Sequence, residues 1–465
     1  MKVPTVPQNA SIKDCMKEIN SCGLGIAFVV DKNGRLLGVV SDGDIRRAIL
    51  SGKSLNSEVS EVMNRDPIRI FKNWSEEKLK KYLRSQKVRE RIPLLKPLIV
   101  PVLSEDGKIV DLYPVYRDKK GALESQKVLK KPMKVLVVGG AGYIGSILVR
   151  RLLERGYKVT VLDNLLYGED GIRELYGREN FKFVKGDVLH IDEVIEAMQD
   201  VDAVIHLAAV VGDPSCKLKP KETIEINYLA AKNLAESCKY LQIPRFIFAS
   251  TCSVYGFNEG VCTEETEPNP LSLYAETKLM SEEGILSLAD DTFFPTVLRF
   301  ATVYGWSPRM RFDLVVNLLI AKAIFEGEIT VYGRGKQYRP FVHVRDVARA
   351  IIKVLEAPLE KVGGEIFNVG SDEQNYSIAE MAHIIHENIP DSEIVFVDQK
   401  EDERSYRVSF EKIKETMGFE AKYSIKDAVL EIKREIEKGN VKHYKDKKYS
   451  NYKSLEALEY LRSPH

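Results

Sequence analysis

Tyr274 and Lys278 stand four residues apart in LSLYAETKLMSEEGIL, so on a helix both side chains leave the same face. A phenol with a pKa near 10 is a poor base at neutral pH, and a neighbouring ammonium favours its phenolate. Such a pair can take the proton of a hydroxyl as a hydride leaves the same carbon, and return it when the hydride comes back. The spacing alone is common on exposed helices. Here it is accompanied by Ser250 and Thr251, which end the apolar run RFIFAST, where doubly wound sheets place ligand-binding groups. A second group begins at Gly139, Gly142 and Gly145, which follow the run MKVLVV and open the helical pattern YIGSILVRRLLERG. Strand, glycine turn and helix in that order meet the needs of a dinucleotide pyrophosphate: a tight turn, close backbone approach, and a helix N-terminus facing the phosphates. Asp163 ends the next run, YKVTVLD, where it can accept hydrogen bonds from an adenosine ribose. Asn164-Leu165-Leu166 follow with no Arg or Lys for a 2′-phosphate, so NAD is expected over NADP.

The elements that must position these residues alternate. After Met133 the runs MKVLVV, YKVTVLD, FKFVKGDV, AVIHLAA, RFIFAST and TVLRFATVYG are separated by helical stretches, which predicts a parallel sheet with helices on both faces. Before it, Ile26–Val30 and Leu36–Val40 flank an Asn33-Gly34 step, a hairpin signal, and a helix is expected from Gly43 to Leu50. The polar, Lys-rich stretch around 117–131 reads as a linker. The expected organisation is a small α+β domain at 1–120, a linker at 121–132, a doubly wound Rossmann-type α/β domain with a C-terminal substrate-binding subdomain at 133–441, and a polar tail at 442–465.

At 465 residues the chain has room for about three domain-sized units. Its 44% hydrophobic and 29% charged content is that of a folded, water-soluble protein, and no apolar run reaches membrane-helix length. A cytoplasmic protein is expected. Cys15, Cys22, Cys216, Cys238, Cys252 and Cys262 form no C-x-x-C pair, so free thiols and no metal are expected. The net charge of +1 divides into 26 Lys+Arg against 16 Asp+Glu in residues 1–132, and 43 against 52 thereafter. The basic residues of the first part are spread among apolar ones instead of forming a tail, which argues against nucleic acid.

The glycine spacing resembles the extended short-chain dehydrogenase/reductases that act on nucleotide sugars. The resemblance extends to Gly186-Asp187-Val188 (adenine-contacting turn), His206-Leu207-Ala208-Ala209 (strand end beside the cofactor) and Asn227 in an N-x-x-A helix. It implies NAD contacts from Gly139, Gly142, Tyr143, Ile144, Gly145, Asp163, Asn164, Asp187, Val188, Leu207, Ala208, Ala209, Asn227, Ser250, Tyr274, Lys278 and Phe300, with Thr251, Tyr274 and Lys278 catalytic. Thr251 would hydrogen-bond the reacting oxygen, and Ser250 would lie beside the nicotinamide. Family 4,6-dehydratases carry Asp-Glu after that Thr; here Cys252-Ser253 stand there, which argues against dehydration. On the substrate side Thr302 stands where the family often has Asn, Arg339 matches its diphosphate clamp, and Arg404 and Tyr406 lie where it closes over the nucleotide.

Residues 8–117 resemble a pair of CBS domains, with Ser41 and Asp44 in the Ser/Thr-x-x-Asp pattern that binds ribose and phosphate in adenine-nucleotide-binding members. In the second copy Asp111-Leu112-Tyr113 replace that pattern. Together these resemblances imply an NAD-dependent nucleotide-sugar epimerase, working at C4 by transient hydride removal, in surface-polysaccharide sugar synthesis and as a homodimer. A nucleotide-sugar dehydrogenase or reductase is the alternative. A third reading is a non-catalytic sensor of NAD(H) and an adenine nucleotide, against which the intact Thr251, Tyr274 and Lys278 set argues.

Overall fold

The computed structural model describes residues 3–22, 25–83, 85, 88, 98–115, 134–398 and 404–462; the expected linker at 121–132 lies outside the described residues. The chain divides into two compact units, Met1–Lys130 and Lys131–His465.

In the first unit two three-stranded sheets repeat one pattern. Thr5–Pro7 pairs parallel to Ile26–Val30, which pairs antiparallel to Leu36–Ser41; Ile70–Phe71 pairs parallel to Leu98–Leu103, which pairs antiparallel to Ile109–Val115. Each hairpin turns on a glycine at positive φ, Gly34 at 78° and Gly107 at 83°, a conformation costly for other residues. Ser41 and Asp44 are turned on each other. Ser41 Oγ donates to Asp44 Oδ2 at 2.6 Å and accepts from the Asp44 N–H at 3.2 Å, while the Ser41 N–H donates back to the carboxylate at 2.9 Å. That reciprocal cap satisfies the first turn of the helix Asp42–Leu50.

The second unit is built on seven strands: β1 (Lys134–Val138), β2 (Lys158–Asp163), β3 (Phe181–Lys185), β4 (Ala203–His206), β5 (Arg245–Thr251), β6 (Phe294–Phe300) and β7 (Ile366–Val369). They run parallel in the order 3-2-1-4-5-6-7. Strand periodicity sorts the core. Val135 and Val137 face Leu148, Val149 and Leu152 of helix α1 (Tyr143–Glu154), while Leu136 and Val138 face the opposite layer with Leu234 and Phe246. Strand order reverses between β1 and β4, and doubly wound sheets bind ligands at that point.

A further core joins the helices Val315–Glu326, Ile378–Asn388 and Ile425–Glu437 through Ile320, Met381, Ile385 and Val429. A polar tail is expected at 442–465; its described residues contribute to this unit. Tyr444 and Tyr449 set their rings edge-on to Phe312, at 6.2 and 5.1 Å, and the helix Asn451–Arg462 buries Leu455 against Val210 and Cys216. Among the described residues no helix is long and apolar enough to cross a membrane.

Candidate active site

A cleft of about 1150 Å³ opens where the strands of the large sheet end. Its floor is the turn after β1. A Cβ at Gly139, where φ is 81°, would lie 2.6 Å from the Ala208 nitrogen, and one at Gly145 would lie 2.5 Å from the Gly139 oxygen. At Gly142 nothing stands nearer than 3.3 Å. The turn is therefore closed behind and open in front, and Gly142 precedes α1 without a side chain to cap it, leaving first-turn N–H groups for an anion.

At the end of β2 the Asp163 carboxylate accepts from the Ala141 N–H at 3.0 Å and the Leu165 N–H at 2.9 Å. Burial raises its pKa, and these bonds pull against that. Its remaining lone pairs suit ribose hydroxyls. Asn164 Nδ2 donates to Asp187 Oδ2 at 2.8 Å, tying the ends of β2 and β3. This donor and acceptor set fits NAD. Asn227, expected at the cofactor, is placed otherwise: its amide accepts from the Val210 N–H at 2.8 Å and donates to the Val210 oxygen at 3.0 Å, and it does not line the cleft. It braces the loop after β4 from behind, where Leu207, Ala208 and Ala209 form the wall.

The residues expected to be catalytic meet between β5 and helix α2 (Leu273–Leu286), whose start Ser272 caps. Lys278 is buried, with Nζ donating to the Ala249 oxygen at 2.8 Å and lying 4.6 Å over the Phe248 ring. The Tyr274 hydroxyl is bonded to Thr251, whose Oγ1 also accepts from the Ser253 N–H at 3.1 Å. Burial pushes the Tyr274 phenol well above its ordinary range; the bond to Thr251 and the charge of Arg311 pull against it. Burial likewise lowers Lys278 to about 8. The expected lowering of the phenol is thus not achieved by the protein groups alone, because desolvation outweighs the nearby positive charge. His206, stacked at 5.8 Å on Phe248, is driven by burial to about 3 and stays neutral.

Behind these residues lies a network that the sequence reading missed. Glu282 pairs with Arg299 at 2.7 Å, the side chains only 2% and 3% exposed. Ser250 Oγ donates to the same carboxylate. Arg299 also donates to the Tyr255 hydroxyl at 3.0 Å, which donates to Asn368 at 2.8 Å. Glu282 follows Lys278 by four residues on α2, so the i, i+4 extension of the Tyr-Lys pair was the available signal.

On the opposite side Arg339, Arg404 and Tyr406 form one cluster. Arg339 donates to the Tyr338 oxygen at 2.8 Å and to the Arg404 oxygen, and its guanidinium lies 5.4 Å over the Tyr406 ring. Arg404 pairs with Asp213 at 2.5 Å, and Tyr406 is bonded to Ser253, next to Thr251. Phe300 and Thr302 line the same cleft. Two further cations went unpredicted. Arg311 forks onto Asp313 at 2.9 and 3.0 Å, and Arg309 lies 4.7 Å over the Tyr167 ring with Nε and Nη2 buried and unpartnered.

A model described as the NAD dependent epimerase/dehydratase family matches residues 135–370, half of the chain. The chain belongs to the NAD-dependent epimerase/dehydratase family. A CBS-domain model matches residues 1–51. Among family relatives, the "Uncharacterized UDP-glucose epimerase YtcB" of Bacillus subtilis is 34% identical over 52% of this chain and 78% of its own length. The UDP-N-acetyl-alpha-D-glucosaminuronate decarboxylase of Bacillus cytotoxicus is 33% identical over 55% and 79%. The solved UDP-glucuronic acid 4-epimerase from Bacillus cereus, in complex with UDP-glucuronic acid and NAD, aligns with a TM-score of 0.58 at 29% identity, covering 66% of this chain and 99% of that one. The chain is thus an enzyme-family member related to both nucleotide-sugar epimerases and decarboxylases.

Proposed function

We propose that this chain is an NAD-dependent nucleotide-sugar epimerase acting at C4. The observation that carries the reading is the meeting of Thr251, Tyr274 and Lys278 at the end of β5, in the same cleft as the glycine turn and Asp163. When bound, NAD+ supplies the hydride acceptor and donor and a positive ring. Thr251 holds the reacting hydroxyl. Tyr274 receives and returns its proton at Oη, favoured as a phenolate by the positive charge that a nicotinamide adds beside it. Lys278, held by the Ala249 carbonyl, keeps an ammonium under that site at neutral pH. Arg339, Arg404 and Tyr406 bind the nucleotide diphosphate, a task suited to planar guanidinium donors.

Elimination of water would need an acid and a base beside Thr251. Among the described residues the carboxylates lining the cleft are Asp163, Asp187 and Asp213, each bonded elsewhere: to the glycine turn, to Asn164 and to Arg404. That supports hydride removal and return without dehydration. A second reading, decarboxylation of a nucleotide-linked uronic acid, draws support from Arg309, whose buried, unpartnered guanidinium nitrogens suit a carboxylate.

The test is to incubate the purified full chain with UDP-, dTDP-, GDP- and CDP-hexoses and UDP-glucuronic acid, following sugar stereochemistry by NMR and absorbance at 340 nm. Inversion without net NADH is expected, and Tyr274→Phe should cut it by about 10²- to 10⁴-fold. Stoichiometric NADH with a keto product would reassign the chain to the dehydrogenases, and release of CO2 to the decarboxylases.

A further inference from the structure

The family match ends at residue 370, yet one polar residue lining the cleft comes from the far end of the chain. Asn451 is 4% exposed, lines the cleft, and leaves its Oδ1 buried without a hydrogen-bond partner. An unpaired acceptor in a protein interior is costly and uncommon unless something else supplies the donor.

Local structural duties do not account for it. The helix Asn451–Arg462 is started by Ser450, whose Oγ accepts from the Lys453 N–H at 3.3 Å. What Asn451 gives the protein it gives through its backbone: its N–H donates to Asp313 Oδ2 at 2.9 Å, the carboxylate that also holds Arg311. Neighbouring backbone does the same, with the Phe312 N–H donating to the Tyr449 oxygen at 2.9 Å. The side chain is left over, in the wall of the cleft with its Oδ1 unpartnered.

Its position along the cleft follows from its neighbours. One turn on, Leu455 packs with Val210 and Cys216 in the cluster that also holds Tyr167 and Tyr274. The Asp313-held Arg311 acts electrostatically on the Tyr274 hydroxyl. Asn451 therefore lies on the side of the cleft that carries Tyr167 and Tyr274.

We propose that Asn451 is a specificity-determining residue that accepts a hydrogen bond from a hydroxyl of the substrate's hexose, contributed by the segment 441–462 folding back onto the catalytic unit. This rests on the nucleotide-sugar reading above. An acceptor at that point favours a hexose bearing a free hydroxyl over its deoxy analogue, since a missing donor leaves the buried oxygen unpaired.

The full-length, NAD-loaded protein and its Asn451→Ala variant would be titrated calorimetrically with UDP-glucose, UDP-glucuronic acid and UDP alone. The backbone bond to Asp313 survives this substitution, so melting temperature and retained NAD should not change. The expected result is about tenfold weaker binding of at least one UDP-hexose with the affinity for UDP unaltered. Unchanged affinity for the sugar nucleotides, or an equal loss for UDP and UDP-hexose, would overturn the assignment of Asn451. Failure of the wild-type protein to bind UDP-, dTDP-, GDP- or CDP-hexoses would overturn the nucleotide-sugar reading itself, and this inference with it.

Discussion

Tyr274 and Lys278 are one helical turn apart, yet burial drives them in opposite directions, the phenol upward and the ammonium down to about 8. Each shift disfavours the charged form, so the site begins as a neutral phenol over a weakly held ammonium. Lys278 has a consequence for stability. Its native pKa of about 8 lies below the ordinary lysine value, so the native state gives up this proton first. Between about pH 8 and pH 10.4 the unfolded chain binds more protons, and the contribution of this group to stability rises with pH. Below that window burial of the charge costs on the order of 3 kcal/mol. Lys278→Met removes the cost, so the variant should gain on the wild type at pH 7 and lose that relative gain by pH 10. Thermal unfolding of both proteins across that range is the check; parallel curves would mean that Lys278 is not desolvated as the structure has it.

At the scale of elements, α2 and β6 are joined through Glu282 and Arg299. Removing one partner leaves the other charge buried and uncompensated, which costs about 3–5 kcal/mol, whereas replacing both with apolar residues of similar volume is often neutral. Glu282→Leu should therefore lower the denaturation midpoint strongly, and the double variant Glu282→Leu/Arg299→Met should recover most of the loss in urea unfolding. Equal midpoints for single and double variants would show that the pair acts on stability through packing alone. The same pair marks the limit of what could be read in advance. The glycine turn, Asp163 and the Tyr-Lys pair are legible because each is a local pattern: a strand followed by glycines, an acid at a strand end, an i, i+4 spacing. Arg299 lies 17 residues beyond Glu282 inside an apolar strand, and nothing in its neighbourhood announces a partner. The run TVLRFATVYG reads as one strand for a related reason. Its break at Ala301 is set by partners: β6 pairs with β7, and Thr302–Tyr304 pairs instead with Tyr338–His343. Asn227 shows the converse, since its motif was recognisable but its amide serves Val210 and not the cleft wall.

Across the whole molecule, the family match and the working unit have different extents. Matching residues stop at 370, while the catalytic unit draws core residues from as far as Leu455 and a cleft residue from Asn451. The segment after Lys442 reads as a polar tail because its sequence is polar and rich in Tyr and Lys, with one short amphipathic stretch near Leu455–Leu461. Tyr444, Tyr449 and Leu455 carry its attachment, and amphipathic tyrosines bury their rings while keeping the hydroxyls bonded. Each such burial is worth about 1.5–3 kcal/mol, so loss of all three would remove a large share of the stability of an ordinary domain. Two truncations separate the boundaries. A fragment of residues 133–465 keeps every contact described for the second unit, and it should unfold cooperatively and retain NAD. A fragment of residues 133–442 exposes Phe312 and the surface around Val210 and Cys216, and it should melt several degrees lower or aggregate, with its nucleotide released. Circular dichroism melts and nucleotide release on the two fragments read this out. If the shorter fragment melted with the longer one, the C-terminal segment would be an appendage to the cleft and not one of its walls.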